Sequence, residues 1–235
     1  MSSRDVVIVL SGGLDSTTLA YQLRAEGARL TGLSVDYGQR HGHRELAAAR
    51  VLAAGLDMPH HIVELHGVEE LLRGSALTDT DIAVPDGYYT DESMRITVVP
   101  NRNALLIALA TSLAVSSGAD AVAFGAHAGD HPIYPDCRPA FIMAFEAAMR
   151  IGNAGSLTEN FQVLAPFAEL SKVDVVGIGA NLGVPFALTW SCYRGGEVHC
   201  GQCGTCVERR EAFRDAGVSD PTEYASVDAG SWSCT

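Results

Sequence analysis

The sequence predicts an α/β protein built on a doubly wound, mostly parallel sheet, with a small zinc-binding subdomain near the C-terminus. An apolar, β-branched run at residues 5–10 is followed at once by a glycine pair and then by a helical pattern. Strand and helix patterns go on alternating with short connections, as in successive βαβ crossover units. Such units cover both faces of a parallel sheet with helices, so ligands are expected beyond the carboxyl ends of the strands.

The first half of the chain shows this alternation most clearly. Apolar residues at helical spacing predict a helix at residues 16–26 after the glycine pair. An apolar run predicts a strand at residues 30–35, and an alanine-rich segment predicts a helix at residues 44–54. A third strand is predicted at residues 61–65. The pattern then weakens, and residues 66–99 are interpreted as an insertion or lid.

The second half resumes the same order. A helix predicted at residues 103–116 leads into a strand predicted at residues 121–124. Three large apolar side chains recur at helical spacing within residues 135–150, and a last helix is predicted at residues 172–182. The tail after Pro221 is expected to be loosely ordered.

Composition narrows the class of protein. The 235 residues, 47% hydrophobic and 19% charged, suit one compact unit with a sizeable core and a short appendage. A formal charge of -12 disfavours a nucleic-acid partner, because it repels a phosphate backbone. No stretch of about 20 apolar residues predicts a membrane span. With no export signal, the six cysteines are expected to be reduced thiols in a cytoplasmic protein.

The turn after the first strand carries the strongest chemical signal. Its string Ser11-Gly-Gly-Leu-Asp-Ser16 presents backbone N–H groups at a helix start, which is a favourable site for phosphate oxygens. The lysine of a Walker-type loop is missing, so a pyrophosphate group is the expected ligand. The alternative is an ordinary turn in which Asp15 or Ser16 caps the helix.

The complete string resembles the PP-loop signature of the ATP pyrophosphatase family, whose fold is adenine nucleotide alpha hydrolase-like. This resemblance implies Mg²⁺-assisted cleavage between the α- and β-phosphates of ATP and transfer of AMP to a substrate oxygen. Ser11, Asp15 and Ser16 are then candidate catalytic residues. The candidate nucleotide-binding residues are Leu10, Ser11, Gly12, Gly13, Leu14, Asp15, Ser16, Thr17, Thr18 and Leu19.

A second motif lies near the C-terminus. Cys192, Cys200, Cys203 and Cys206 supply four thiolates among glycines, which suits a closed, tetrahedral, structural zinc site. An iron–sulfur cluster is the main alternative and a redox pair a weaker one. His199 lies inside this cluster, where it either replaces one cysteine or, as we expect, sits on an exposed loop.

Further blocks occur in the order found in the 7-cyano-7-deazaguanine synthase (QueC) family, which the chain resembles from residue 6 to residue 213. The blocks are Ser34–His41, Val99–Asn103, Gly125–His131, Tyr134–Arg138 and the cysteine cluster. This resemblance implies conversion of 7-carboxy-7-deazaguanine and ammonia into 7-cyano-7-deazaguanine through adenylated and amide intermediates. It implies two ATP consumed per product, with AMP and pyrophosphate released. Asn101 stands where some relatives have glycine, and we expect it to keep the same turn.

Roles for substrate-contacting residues follow as hypotheses, each with a plainer alternative. Arg102 is a candidate catalytic and substrate-binding residue that neutralises a phosphate or carboxylate, or else a surface arginine. Asp130 and Asp136 bind the guanine-like edge or Mg²⁺, or else cap turns. His127 is a substrate-binding candidate, and His127 and His131 move protons during ammonia attack or are simply solvated. Tyr37, Tyr88 and Tyr89 stack on the purine face or else are core residues. Cys137 is a nucleophile or, as we expect, a residue that packs in the pocket.

Two rival functions remain at this stage. A tRNA-thiolating PP-loop enzyme would use the same adenylation chemistry, but the charge of -12 argues against it. A non-catalytic zinc-binding interaction module would produce no AMP. The predicted division is a PP-loop domain at residues 1–185, with the insertion at 66–99, and a zinc-binding region at residues 186–235. The chain is expected to form a homodimer and to use only small-molecule substrates, with ammonia supplied from outside.

Overall fold

Five parallel strands form one sheet in the order β3-β2-β1-β4-β5 in a computed structural model, which describes residues 3–88 and 94–225. The chain winds outward from β1 in one direction and then, from β4, in the other. This reversal places the topological switch point between β1 and β4. The strands are β1 Asp5–Val9, β2 Arg29–Asp36, β3 His60–Glu64, β4 Ala121–Ala123 and β5 Gln162–Leu164.

Six α-helices accompany the sheet in the described residues. They are α1 Leu14–Ala25, α2 Gly42–Gly55, α3 Arg102–Ser117, α4 Pro139–Gly152, α5 Lys172–Asn181 and α6 Gly204–Asp215. The five predicted helices are all present. The largest shift is at α4, which begins only at Pro139 because a 3-10 turn at Pro135–Cys137 precedes it. No prediction was made for β5 or α6.

The doubly wound class is confirmed by how β1 divides its side chains. Val6 and Ile8 belong to a buried cluster that also contains residues of α1, α2, α5 and α6. Val7 and Val9 belong to a second cluster on the opposite face, with residues of α3 and α4. Side chains of successive strand residues point to opposite faces, so a strand buried on both sides is apolar throughout.

The segment interpreted as an insertion is tied to the rest of the chain. The guanidinium group of Arg40 donates hydrogen bonds to the carbonyl oxygens of Ala76, Asp79 and Ile82 at 3.2, 2.9 and 2.9 Å. Residues 89–93 of this segment and the tail from residue 226 lie outside the described residues. The division at residue 185 remains a prediction. Nowhere in the described part of the chain is a helix long and apolar enough to cross a lipid bilayer.

Candidate active site

A cavity of about 220 Å³ opens at the carboxyl ends of β1, β2 and β4. Its wall is completed by the first residues of α1, α3 and α5 and by residues of the cysteine-rich region. Of the predicted nucleotide- and substrate-binding residues, ten line it, namely Leu10, Ser11, Gly13, Leu14, Asp15, Ser16, Tyr37, Arg102, His127 and Asp130. Five do not, namely Gly12, Thr17, Thr18, Leu19 and Asp136.

The two glycines of the loop, Gly12 and Gly13, have different structural roles. Gly12 has a φ of 76°, and a Cβ there would meet the carbonyl oxygen of Glu45 at 2.5 Å, so only glycine lets the loop pack on α2. Gly13 is the N-cap of α1, and no side chain caps that end. The alternative in which Asp15 or Ser16 caps the helix is therefore wrong. Residues 13–16 at this uncapped helix start line the cavity, and free N–H groups of a first helical turn are suited to bind an anion.

Three hydroxyl groups form hydrogen bonds with the backbone of this loop. Ser11 Oγ accepts a hydrogen bond from the Gly13 N–H at 3.2 Å, and Ser16 Oγ accepts one from the Ser11 N–H at 3.2 Å. Thr17 Oγ1 donates to the Gly13 carbonyl at 2.7 Å and thereby braces the helix start from below. Thr18 and Leu19 are fully buried and hold the helix against the core.

Lys172 was missed by sequence reasoning. Its Nζ lies 2.5 Å from Asp15 Oδ2 and 3.6 Å from Glu208 Oε2, so α5 and α6 both meet α1 here. Burial works against the charge of Asp15, but the Lys172 ammonium outweighs it and lowers the pKa of that carboxyl. One signal was available: Lys172 is the only lysine in the sequence.

His127 and Asp130 follow β4 and hold each other in place. Asp130 Oδ2 accepts a hydrogen bond from the His127 backbone N–H at 3.0 Å, and His127 Nδ1 accepts one from the Gly129 N–H at 3.2 Å. His127 is 3% exposed, so the solvated alternative is wrong for this residue. His131 does not line the cavity.

Arg102 enters the cavity from the start of α3. Asn101 precedes it with a φ of 56°, so the expected turn is present with asparagine in place of glycine. The Arg102 guanidinium lies 5.9 Å from the ring centre of Tyr134, and no carboxylate of the described residues pairs with it. Burial raises the pKa of the neighbouring Tyr37 to about 12, which keeps this phenol protonated.

Asp136 and Cys137 support α3 from outside its first turn. Asp136 Oδ2 accepts a hydrogen bond from the Asn103 backbone N–H at 3.1 Å, which matches the capping alternative. Its substrate-binding role stays a prediction. Cys137 is buried against the cavity, and Asn103 Nδ2 donates to its Sγ at 3.1 Å, as expected for a packing residue. Tyr88 is exposed and not among the cavity residues, whereas Tyr89 lies outside the described residues.

The four cysteines of the C-terminal motif converge. Their Sγ atoms all lie within 4.8 Å of one another, and the backbone N–H groups of Gln202 and Cys203 donate to Cys200 Sγ at 3.4 and 3.3 Å. A closed set of four soft ligands with such N–H support fits a tetrahedral metal ion.

His199 corrects one expectation. It is 6% exposed, so the predicted exposed-loop position is wrong. Its ring stacks on Trp190 with centres 4.2 Å apart, and its Nε2 accepts a hydrogen bond from the Ser191 N–H at 3.0 Å. It is not one of the four converging ligands.

Arg209 of α6 joins the cysteine-rich region to the cavity wall. Its side chain is 1% exposed and donates to Thr189 Oγ1, Ser191 Oγ and the Phe186 carbonyl at 2.8, 3.1 and 3.1 Å. Its Nε lies 3.3 Å from Asp220 Oδ1, which neutralises the buried charge. These bonds fix the strip of backbone that lies against the loop Ser11–Ser16.

Comparison with known proteins gives a consistent picture. The chain is 53% identical over 222 residues to a 7-cyano-7-deazaguanine synthase of Brucella anthropi, covering 94% of each protein. It is 51% identical over 224 residues to 7-cyano-7-deazaguanine synthase 1 of Mesorhizobium japonicum, covering 95% of each. The NMN synthetase structure from Francisella tularensis, at 18% identity and a TM-score of 0.49, is too distant to add to this assignment.

A family model described as queuosine biosynthesis protein QueC matches residues 5–217. This span includes the loop Ser11–Ser16, the cavity residues and all four cysteines. The chain therefore belongs to the QueC family of queuosine biosynthesis proteins.

Proposed function

We propose that this chain is an ATP-dependent carbon–nitrogen ligase that makes 7-cyano-7-deazaguanine from 7-carboxy-7-deazaguanine and ammonia. The observation that carries this proposal is that one cavity holds both an uncapped helix start, suited to phosphates, and Arg102, a cation with no carboxylate partner in the described residues. The relatives named 7-cyano-7-deazaguanine synthase, which the chain covers over 94% and 95% of their length, support the choice of substrate.

The phosphate half of the site is assigned to the loop after β1. Ser11 and Ser16 donate hydroxyl hydrogens and the first turn of α1 donates N–H groups to the two outer phosphates, while Lys172 neutralises charge. The nucleotide-binding segment runs from Leu10 to Leu19. Asp15 Oδ1 is buried without a partner among the described residues, so it fits an oxygen ligand for Mg²⁺. The ion would neutralise the phosphate charge.

The acid half of the site is assigned to the opposite wall. Arg102 binds the substrate carboxylate and holds one of its oxygens toward the inner phosphorus, and Tyr37 lies against the deazapurine ring. Asp130 accepts hydrogen bonds from the guanine-like N–H edge. Asp136 acts on the same substrate by holding the first turn of α3.

The chemistry needs two adenylations at one site. The carboxylate oxygen first attacks the α-phosphorus and pyrophosphate leaves; ammonia then displaces AMP from the acyl carbon and loses a proton to give the amide. In the second round the amide oxygen attacks a new ATP. The nitrogen sheds its two protons, the C–O bond to AMP breaks, and a nitrile remains. Both rounds place an oxygen nucleophile opposite pyrophosphate, so one arrangement serves both.

Zinc is the metal proposed for Cys192, Cys200, Cys203 and Cys206. Four thiolates leave no open coordination position, so the ion would stabilise structure and take no part in the reaction. An iron–sulfur cluster remains the competing ligand of this set. Elemental analysis of purified protein separates the two, since iron with labile sulfide in place of zinc contradicts this assignment.

We also propose that the chain forms a homodimer through α4. The division of the chain into two parts at residue 185 is proposed as well. The charges of α4 point inward, because Glu146 pairs with Arg150 at 3.1 Å and accepts a hydrogen bond from the Val163 N–H at 2.8 Å. The outward face is apolar: Met143 and Ile151 are 73% and 79% exposed, with alanines between them. A second copy presenting the same face would cover it. We place the dimer in the cytoplasm.

The test is incubation of the protein with 7-carboxy-7-deazaguanine, ammonium and MgATP, followed by mass spectrometry. The nitrile, AMP and pyrophosphate are expected. Amide without nitrile reduces the activity to that of an amide ligase, and ADP in place of AMP overturns the proposal. Salt-sensitive binding of tRNA at low ionic strength would favour the thiolating alternative.

A further inference from the structure

The two ring nitrogens of His127 have different surroundings. Nδ1 accepts a hydrogen bond from the backbone N–H of Gly129 at 3.2 Å. Nε2 lies 3.4 Å from Lys172 Nζ and 3.8 Å from Asp130 Oδ2. One nitrogen of a neutral imidazole donates and the other accepts. Because a backbone N–H can only donate, Nδ1 keeps its lone pair and Nε2 carries the hydrogen.

The hydrogen on Nε2 has no acceptor at bonding distance within residues 3–88 and 94–225. Lys172 Nζ is a donor only. Asp130 Oδ2 is too far away and already accepts from the His127 backbone N–H. Two donors therefore face each other across 3.4 Å inside the cavity. A single ligand oxygen in contact with both would satisfy them.

The position of this donor pair indicates the kind of oxygen. Lys172 Nζ is held at 2.5 Å by Asp15, a first-turn residue of α1, so the pair lies beside an uncapped helix start. A Cβ on Gly125 would lie 3.1 Å from the Ser16 backbone nitrogen, so the strand leading to His127 passes directly against that helix start. Two donors next to a positive helix end select a negatively charged oxygen.

We infer that His127 is a catalytic residue whose Nε2–H, together with Lys172, donates a hydrogen bond to a phosphate oxygen of the bound nucleotide. It is not the base that takes a proton from ammonia, because Nε2 already holds its hydrogen and the lone pair of Nδ1 is directed at Gly129. This assignment rests on the proposed function, since the nucleotide belongs to that function.

Two substitutions separate a donor from a base. His127→Asn places an amide oxygen near the Nδ1 position and keeps the acceptor for Gly129, but it removes the donor at Nε2. His127→Gln places an amide N–H near Nε2 and cannot titrate. We expect kcat/KM for ATP to fall about 100-fold in His127→Asn, with thermal unfolding little changed. The fall in His127→Gln is expected to stay below about tenfold.

The pH dependence of kcat/KM provides a second way to distinguish a hydrogen-bond donor from a base. Asp15, Asp130, Lys172 and Glu208 face the ring and are kept in both variants. We expect His127→Gln to show the same profile of kcat/KM as the wild type. Equal losses in both variants, together with disappearance of the acidic limb, identify a base and overturn the assignment.

A spectroscopic measurement tests the geometry without turnover. In protein labelled with ¹⁵N-histidine, the His127 signals are those missing from the spectrum of His127→Asn. Without nucleotide, we expect the tautomer with its hydrogen on Nε2. When Mg²⁺ and α,β-methylene-ATP are added, we expect the NMR signal of the Nε2 proton to shift. The opposite tautomer, or an unmoved proton with bound analogue, overturns this assignment and leaves the proposed function standing. If the wild type does not bind the analogue, the proposed function fails and the assignment fails with it.

Discussion

The backbone N–H of Trp190 donates a hydrogen bond of 2.9 Å to the carbonyl oxygen of Gly12. The same tryptophan uses its indole Nε1–H to bond the Cys192 carbonyl at 2.8 Å. One residue therefore holds the glycine loop with its backbone and the cysteine cluster with its side chain. A disturbance of the cluster should reach the loop through this residue.

Removal of the metal proposed for the four cysteines should weaken nucleotide binding, although the proposal gives this metal no part in the chemistry. We expect Cys203→Ser to lower the free energy of unfolding by at least about 2 kcal/mol, because a buried metal site is lost. Affinity for α,β-methylene-ATP should fall with it, as measured by calorimetry. In the wild type, chelation should have the same effect and added zinc should reverse it. Unchanged affinity after verified metal loss contradicts the link through Trp190.

Gly12→Ala should be strongly destabilising. Its backbone has a φ of 76° and the new methyl group would lie 2.5 Å from the Glu45 carbonyl oxygen, so strain and overlap combine to about 3 kcal/mol or more. The melting temperature should fall by roughly 6–12 °C. Gly55→Ala is the control, because Gly55 is the last residue of α2 and has open space around it. This substitution should raise the free energy of unfolding by up to about 1 kcal/mol. Equal melting temperatures for the two variants would refute this account.

The ion pair of Asp15 and Lys172 gives stability a defined pH dependence. The Asp15 contribution is present above its unfolded pKa of about 3.9 and is lost as the pH falls through the lower folded value. Burial opposes the charge of Lys172, but Asp15 and Glu208 raise its pKa. The contribution of Lys172 is complete below about pH 10.4 and is lost only as the pH rises through the folded value. Between about pH 4 and pH 10 the pair is intact.

Lys172→Met should therefore lower the free energy of unfolding by about 2 kcal/mol at pH 7, since Asp15 is left buried without its cation. The difference from wild type should shrink as urea titrations are repeated at lower pH, because the buried Asp15 of the variant has lost its cation and takes up a proton at a higher pH than the paired Asp15 of the wild type. Lys172→Arg keeps the charge and serves as the control. A difference that does not vary with pH would falsify the ion-pair explanation.

Arg102 is predicted to act on the organic acid more than on ATP. Arg102→Gln should raise KM for 7-carboxy-7-deazaguanine about 30-fold, the cost of a charged hydrogen bond, and leave KM for ATP nearly unchanged. Arg73→Gln is a matched control on an exposed arginine away from the cavity. If KM rises only for ATP, Arg102 belongs to the phosphate half of the site.

The apolar outer face of α4 predicts the association state. Replacing both Met143 and Ile151 with glutamate should convert a dimer to a monomer in sedimentation velocity, because charge would be buried at the interface. Leu71→Glu controls for added charge, since Leu71 is also 79% exposed but lies on the 3-10 helix Val68–Leu71. A wild-type monomer, or a double variant that remains dimeric, contradicts the proposed interface.

The elements that could be predicted are those with a dense local pattern. β1 is apolar from Val6 to Val9 because it is buried on both faces there, and the glycine pair follows its end, so the strand, loop and α1 could all be predicted. α6 was missed because its cysteines and glycines were interpreted only as metal ligands and turns. β5 was missed because three residues, Gln162–Leu164, give no measurable alternation.

Sequence patterns predict those site residues that stand in local motifs, but not those that depend on partners far away in the chain. The loop hydroxyls and Arg102 stand in local motifs and could be predicted. Lys172 binds Asp15 across 157 positions, and no local pattern reveals that pairing. His199 was misplaced because its burial depends on stacking against Trp190, which only the folded chain brings about.

Lys172 is the only ε-amino group of the chain, and it is occupied with Asp15 at the floor of the cavity. Acylating reagents react with a neutral amine, and the ion pair with Asp15 keeps Lys172 as an ammonium, so this buried lysine should be modified far more slowly than the α-amino group. Immobilisation through amines would similarly attach the molecule by its N-terminus or else stop its chemistry. Crosslinking by lysine chemistry, which maps surfaces in most proteins, would therefore yield little information on the surface of this one.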